Sequence, residues 1–173
     1  MSERDIKASI ESKQKIIARR PEFGRGTATT RVKLRGGTAC DIEDGDWKLV
    51  ADESPGDGGE GLGPDPGVYG RAALGSCLAM GYAMWAAYRG VPLDSVEVVV
   101  EADYDAGGLF GVDDSVPPGW GAMRYTVDIS SPAPEADVRA MVDYADRHSS
   151  LLDGFQRAVP ITATINITQK IGA

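Results

Sequence analysis

The chain has 173 residues, enough for one domain with a sizeable core. Its 18 basic and 26 acidic residues leave a net charge of −8, which disfavours nucleic acid and anionic membrane surfaces as partners because both would repel it. Two cysteines and a charged N-terminus without an apolar core segment predict no secretory leader and a reducing, cytoplasmic setting.

Charge is unevenly placed. Residues 1–25 hold 7 basic and 4 acidic side chains, so this basic arm is +3 and the body, 26–173, is −11. Ile6, Ile10 and Ile17 fall near one helical face, which predicts an amphipathic helix docked on the body or on a second subunit. A solvated, frayed terminus is the alternative. The body reads as a single domain.

After Pro21 the period changes to two. Ala28, Thr30, Val32 and Leu34 alternate with Thr29, Arg31, Lys33 and Arg35, and the turns Gly36-Gly37 and Asp44-Gly45 predict an antiparallel meander ending with Trp47 to Val50. The next segment, Pro55 to Gly67, contains six glycines. It invites a phosphate-loop reading that its chemistry refuses: there is no Gly-Lys-Ser/Thr ending, Pro64 and Pro66 remove donors, and Asp57, Glu60 and Asp65 would repel an anion. A flexible connecting loop is expected instead.

From Ala72 to Tyr88 there are 17 residues without charge, proline or β-branching, so Gly67 to Arg89 predicts one long helix. The run is shorter than the roughly 20 residues of a membrane span and rich in Gly and Ala, which predicts burial in protein. Val96, Val98, Val100 and Ala102 then alternate with polar residues, as do Met123, Tyr125, Val127 and Ile129, and finally Ile161, Ala163, Ile165 and Ile167. Between the last two, Pro134-Glu135 opens a helix with Val138, Met141, Val142 and Ala145 on one face, stopping near His148. The order predicts an α+β fold. The long connection 105–121 carries Phe110 and Trp120, which are placed to line or cover a pocket.

The Gly63-Pro64-Asp65-Pro66 loop ending, Ala72 to Leu78 around Cys77, Arg89-Gly90-Val91, the strand from Val96, Ile129-Ser130-Ser131-Pro132 and the helix ending Ala145 to His148 together resemble the OsmC/Ohr family of organic hydroperoxide resistance proteins. The resemblance spans roughly residues 31–167. It implies an antiparallel sheet packed on a long central helix, in an intertwined homodimer with two sites at the subunit interface. It also implies that the Cys77 thiolate attacks a peroxide oxygen and becomes a sulfenic acid. A second cysteine resolves that acid, and an arginine with a glutamate activates the first thiol.

Two positions depart from the pattern. The second cysteine would fall at Ser149, and the glutamate would fall at Gly67 or Val68. Arg31 and Arg35 are both candidates for the arginine. Arg71, six residues before Cys77, is rotated about 600° from it on the helix and points elsewhere. His148 would neighbour Cys77 and make a sensible base for it, although a charge complementing its own helix end is the plainer role. Cys40 is a possible resolving thiol or an ordinary strand residue. A Ser-His-Asp hydrolase using Ser76 or Ser149 lacks any Gly-x-Ser-x-Gly elbow. One histidine and two distant cysteines give no metal-ligand spacing, and no cofactor is expected. The expected activity is a single-cysteine thiol peroxidase, with Cys77 reduced by an external thiol. The competing expectation is a dimeric protein that binds a small apolar ligand without catalysis.

Overall fold

The computed structural model describes residues 2–169. Helix α1 (Glu3–Arg19) opens with a capping box, Ser2 accepting from the Asp5 amide while the Asp5 carboxylate accepts from the Ser2 amide. The arm docks on the body through Ile10, the one α1 residue that is buried, and Lys7 lies 5.9 Å from the centre of the Tyr88 ring.

Strands β1 (Arg31–Gly36), β2 (Ala39–Asp44) and β3 (Trp47–Ala51) form the expected meander, β1 starting at Arg31 rather than Ala28. Their register places Val32, Ile42 and Leu49 side by side on one face, with Leu34 and Cys40, and puts Arg31, Lys33 and Arg35 with Asp41 and Glu43 on the other. The sheet is therefore amphipathic.

The glycine-rich segment that follows is closed around one carboxylate rather than loose. Asp52, 3% exposed, accepts from the Thr38 hydroxyl at 2.6 Å and from the amides of Glu53, Glu60 and Leu62 at 2.9, 3.0 and 3.1 Å. Gly59 and Gly63 let the chain turn tightly: a Cβ at either would lie 2.0 Å from the Glu53 oxygen or 2.3 Å from that of Val50.

Helix α2 (Pro66–Arg89) matches the expected long helix. Asp65 caps it by accepting from the Val68 amide, Pro66 occupies the first turn, and Gly90 ends it in the left-handed conformation at φ 72°. Strands β4 (Ser95–Tyr104) and β5 (Trp120–Ser130) pair antiparallel and lay Val96, Val98, Val100, Met123, Tyr125 and Val127 on α2. Their connection holds a single helical turn, α3 (Ala106–Leu109). Helix α4 (Glu135–Asp146) follows as expected. The apolar segment after His148 is a further short helix, α5 (Ser150–Gln156), capped by Ser149. The core is Leu74, Leu78, Tyr82 and Ala86 of α2 against Met141, Ala145 and Leu152.

Two expectations are not met within one chain. The strand expected over Ile161 to Ile167 is not formed: 157–169 has no regular structure, and Ile161, Ile165 and Ile167 are 91%, 81% and 82% exposed. A strand exists only against a partner edge, and among the described residues none pairs with this segment. Helix α2 is also not covered all round, since Ala72, Ala73, Met80, Ala83 and Met84 form an exposed, mainly apolar stripe that also holds Ser76.

Candidate functional site

Cys77 lies at the edge of the buried face of α2, partly exposed and in its free thiol form. The turn after α4 brings Ser149 across α2 so that Ser149 Oγ is 3.4 Å from Cys77 Sγ, with Ser150 Oγ at 3.9 Å. Ser149 is 7% exposed and also accepts from the Leu152 amide as the cap of α5. Burial pushes the Cys77 thiol up, but the Ser149 hydroxyl, the Leu151 amide and the hydroxyl and amide of Ser150 outweigh it and hold the thiol below its ordinary value. The thiolate is thus favoured by neutral donors, and no cation is among its partners within the described residues.

The other expected site residues stand elsewhere in the single chain. Arg35 forks onto Asp41, with Nε 3.2 Å from the carboxylate, on the charged face of the first sheet. Arg31 lies on the same face, opposite Glu43. His148 stacks on Tyr144 with ring centres 4.2 Å apart, and its Nδ1 donates to the Tyr144 carbonyl at 2.7 Å. Trp85 sits 5.3 Å from the imidazole. Among the described residues no hydrogen bond joins Ser149 to His148: the hydroxyl serves Cys77 and α5, and Nδ1 serves the Tyr144 carbonyl. Cys40 is a free thiol on β2, its Sγ 3.7 Å from the Thr38 carbonyl.

The structure also bears on Gly67, one of the two positions, with Val68, where the resemblance would place a glutamate. A Cβ on Gly67 would lie 2.8 Å from Asp65 Oδ1 and 3.3 Å from Arg71 Nη1, so a side chain there would require the capping carboxylate and the guanidinium to shift. Gly70 is tighter still, since a Cβ there would be 2.5 Å from the Trp120 ring. Trp120, expected beside a pocket, begins β5 and lines a cavity of about 410 Å3 with Leu74, Met123, Tyr125, Leu152 and Phe155. Of the cavity's lining residues, Leu74 is three residues before Cys77 on α2 and Leu152 three beyond Ser149, while Cys77 itself is not in the wall.

Sequence reasoning missed three parts of this arrangement. Ser150 and the α5 amides were hidden because nothing local says which helix start meets which thiol, although Ser149-Ser150 before Leu151-Leu152 is a capping signal. Tyr82 and Tyr125 both donate to Asp146, at 2.8 and 2.9 Å. The third is the Asp52 hub. Among the described residues no cluster of three metal-ligating side chains occurs, and no helix is long and apolar enough to cross a membrane.

The family model described as OsmC-like protein matches residues 57–164. No curated protein sequence matches the chain. Among solved structures, an OsmC-like protein from Mycoplasma pneumoniae superposes with a TM-score of 0.64 at 12% identity, covering 76% of this chain and 88% of that one. The organic hydroperoxide resistance protein OsmC of Legionella pneumophila gives 0.57 at 20% identity, covering 76% and 92%. An OsmC-like protein of unknown function from Vibrio cholerae gives 0.54 at 16% identity, covering 75% and 93%. At such identities the likeness carries the fold.

Proposed function

The chain belongs to the OsmC-like protein family, and from that membership we propose that it is a single-cysteine, thiol-dependent peroxidase that reduces organic hydroperoxides through Cys77. The observation that carries the reading is the donor set on Cys77, which favours the thiolate in a partly buried position.

In this reading the Cys77 thiolate attacks the peroxide oxygen remote from the organic group. The S–O bond forms as the O–O bond breaks; the sulfur is oxidised to a sulfenic acid, and the organic alkoxide takes a proton and leaves as the alcohol. Ser149 offers a hydroxyl where a second thiol would resolve the sulfenate, so an external thiol supplies the electrons. It displaces water to form a mixed disulfide, and a second thiol equivalent releases Cys77. Ser149 and Ser150 hold the thiolate before attack. Either Arg31 or Arg35 of a second copy adds the cation that one chain does not bring to the sulfur, and His148 stays a structural partner of Tyr144.

A homodimer is part of the proposal. Three unpartnered surfaces support it: the α2 stripe around Met80 and Met84, the sheet face with Val32 and Leu34 at 58% and 61% exposure, and the alternating Ile161 to Ile167 segment. A second copy supplies a partner for each.

The test is consumption of cumene hydroperoxide with dithiothreitol as reductant. Cys77→Ser should reduce it to the uncatalysed rate while Cys40→Ser leaves it intact, and undiminished turnover in Cys77→Ser would sink the proposal. The roughly 410 Å3 cavity favours one second reading, a dimeric binder of an apolar small molecule. Saturable binding of such a compound by a protein whose Cys77 ignores peroxide would support it.

A further inference from the structure

We propose that Asp146 is a positioning residue for Cys77: its carboxylate, clamped between the phenols of Tyr82 and Tyr125, fixes the turn that sets Ser149 against the thiol. This rests on reading Cys77 as a reactive thiolate, and no part of the peroxide chemistry described above uses the clamp.

The clamp joins three elements at one point. Tyr82 of α2, with 0% of its surface exposed, donates to Asp146 Oδ1 at 2.8 Å, and Tyr125 of β5 donates to Oδ2 at 2.9 Å. The last residue of α4 is thereby tied to the central helix and to the sheet. The same residue holds the turn that follows, because the Ser149 amide donates to the Asp146 carbonyl at 3.2 Å. Ser149 then reaches Cys77 at 3.4 Å and caps α5 through the Leu152 amide. Along α2, Cys77 and Tyr82 are five residues apart, so the two polar contacts, 146 with 82 and 149 with 77, staple the end of α4 and its turn to α2 at two heights.

Both phenols are secure donors. Burial, then the Asp146 hydrogen bond, pushes Tyr125 up to about 12 and raises Tyr82 as well. A half-buried carboxylate held on both oxygens by two phenols is a more rigid anchor than helix packing alone, since moving it would leave the hydroxyl of the fully buried Tyr82 unpaired. Arg147 and His148, the charged or titratable neighbours in the same turn, are directed to Tyr144, with Arg147 6.0 Å from that ring and His148 on its carbonyl. They do not compete for Asp146.

The experiment is alkylation of Cys77 by iodoacetamide against pH in the full chain, followed on the Cys77 peptide by mass spectrometry. Loss of the Ser149 donor in Ser149→Ala should raise the midpoint. Asp146→Asn and Tyr125→Phe should raise it in the same direction, and the double variant Asp146→Asn/Ser149→Ala no further than Ser149→Ala alone. A rise of about one pH unit means tenfold less thiolate at pH 7. A role confined to stability would lower the melting temperature and leave the midpoint in place. A through-space effect of the lost charge would lower the midpoint, because a nearby anion disfavours the thiolate. Either result, or shifts that add in the double variant, overturns the proposal. Tyr125→Phe keeps the ring and decides the matter if Asp146→Asn fails to fold. Peroxide turnover is not part of the readout, so an inert Cys77 with the expected midpoints would sink the peroxidase reading and leave the clamp standing.

Discussion

A thiol partly buried in an apolar wall is ordinarily made less acidic by its surroundings, and Cys77 departs from that rule because four neutral donors converge on one sulfur. The geometry makes Ser149 a sensitive position. Replacing its hydroxyl by a thiol puts a second sulfur where an oxygen now sits 3.4 Å from Sγ, a short movement from the roughly 2.05 Å of a disulfide. Ser149→Cys should therefore convert Cys77 and residue 149 to a disulfide on addition of hydroperoxide, read as the loss of two hydrogens in the mass of the cross-linked peptides. Continued accumulation of sulfenic acid in that variant would mean that the two positions do not approach in solution. Gly70 is the second sensitive position. Alanine there gains up to about 1 kcal/mol of helix propensity but drives a methyl into the Trp120 ring, an overpacking that costs about 1–3 kcal/mol. Gly70→Ala should lower the melting temperature and shift the Trp120 fluorescence, since the indole must leave the cavity wall. At this scale Cys77 and Ser149 were legible from their sequence neighbours. The reason for Gly67 was not, because it lies in the capping rotamer of Asp65 and the placement of Arg71, and neither is written in composition or period.

Elements declare themselves in sequence when length and period agree, and α2, β4, β5 and α4 did. Helix α5 did not, because seven residues give too little periodicity to distinguish a helix from a loop. The glycine-rich segment is ordered although its composition predicts a flexible loop, because its order comes from Asp52, which stands before it in the chain and accepts from two of its amides, those of Glu60 and Leu62. The Thr38 hydroxyl, then the Leu62 amide, hold the Asp52 carboxyl at about 2 against an ordinary value of 3.8, despite an opposing effect of burial. A folded-state value below the unfolded one makes the contribution complete above pH 3.8 and lost as pH falls toward 2. Protection of the Glu60 and Leu62 amides against hydrogen exchange should accordingly fall over that window and not above it. Asp52→Ala should abolish that protection at neutral pH while the α2 amides stay protected. Unchanged exchange at Glu60 and Leu62 in Asp52→Ala would remove Asp52 from its role as the hub.

For the whole molecule, the informative surfaces are those the single chain leaves uncovered. The period-2 patterns of β1 and of Ile161 to Ile167 are written for burial, yet Val32, Leu34, Ile161, Ile165 and Ile167 are each more than half exposed. Sequence pattern reports whether a face is to be buried; it does not report which chain buries it, and that is why the strand expected over Ile161 to Ile167 is not formed in one chain. The distinction has a measurable consequence. In a monomer, substitution of a side chain already 81% exposed changes stability little, so Ile165→Asp should be silent. In the proposed dimer the same isoleucine is covered, and full burial of an isoleucine contributes about 1.5–3 kcal/mol. Ile165→Asp, or Leu34→Asp on the sheet face, should then raise the dimer dissociation constant at least tenfold, each 1.4 kcal/mol being a factor of about ten. Sedimentation equilibrium across a concentration series reads that constant directly. Peroxidase activity lost in parallel with the dimer, and regained at high protein concentration, would place the missing cation of the Cys77 site on the second copy. A wild-type chain that stays monomeric at every concentration would instead leave these apolar faces without the partner their pattern requires.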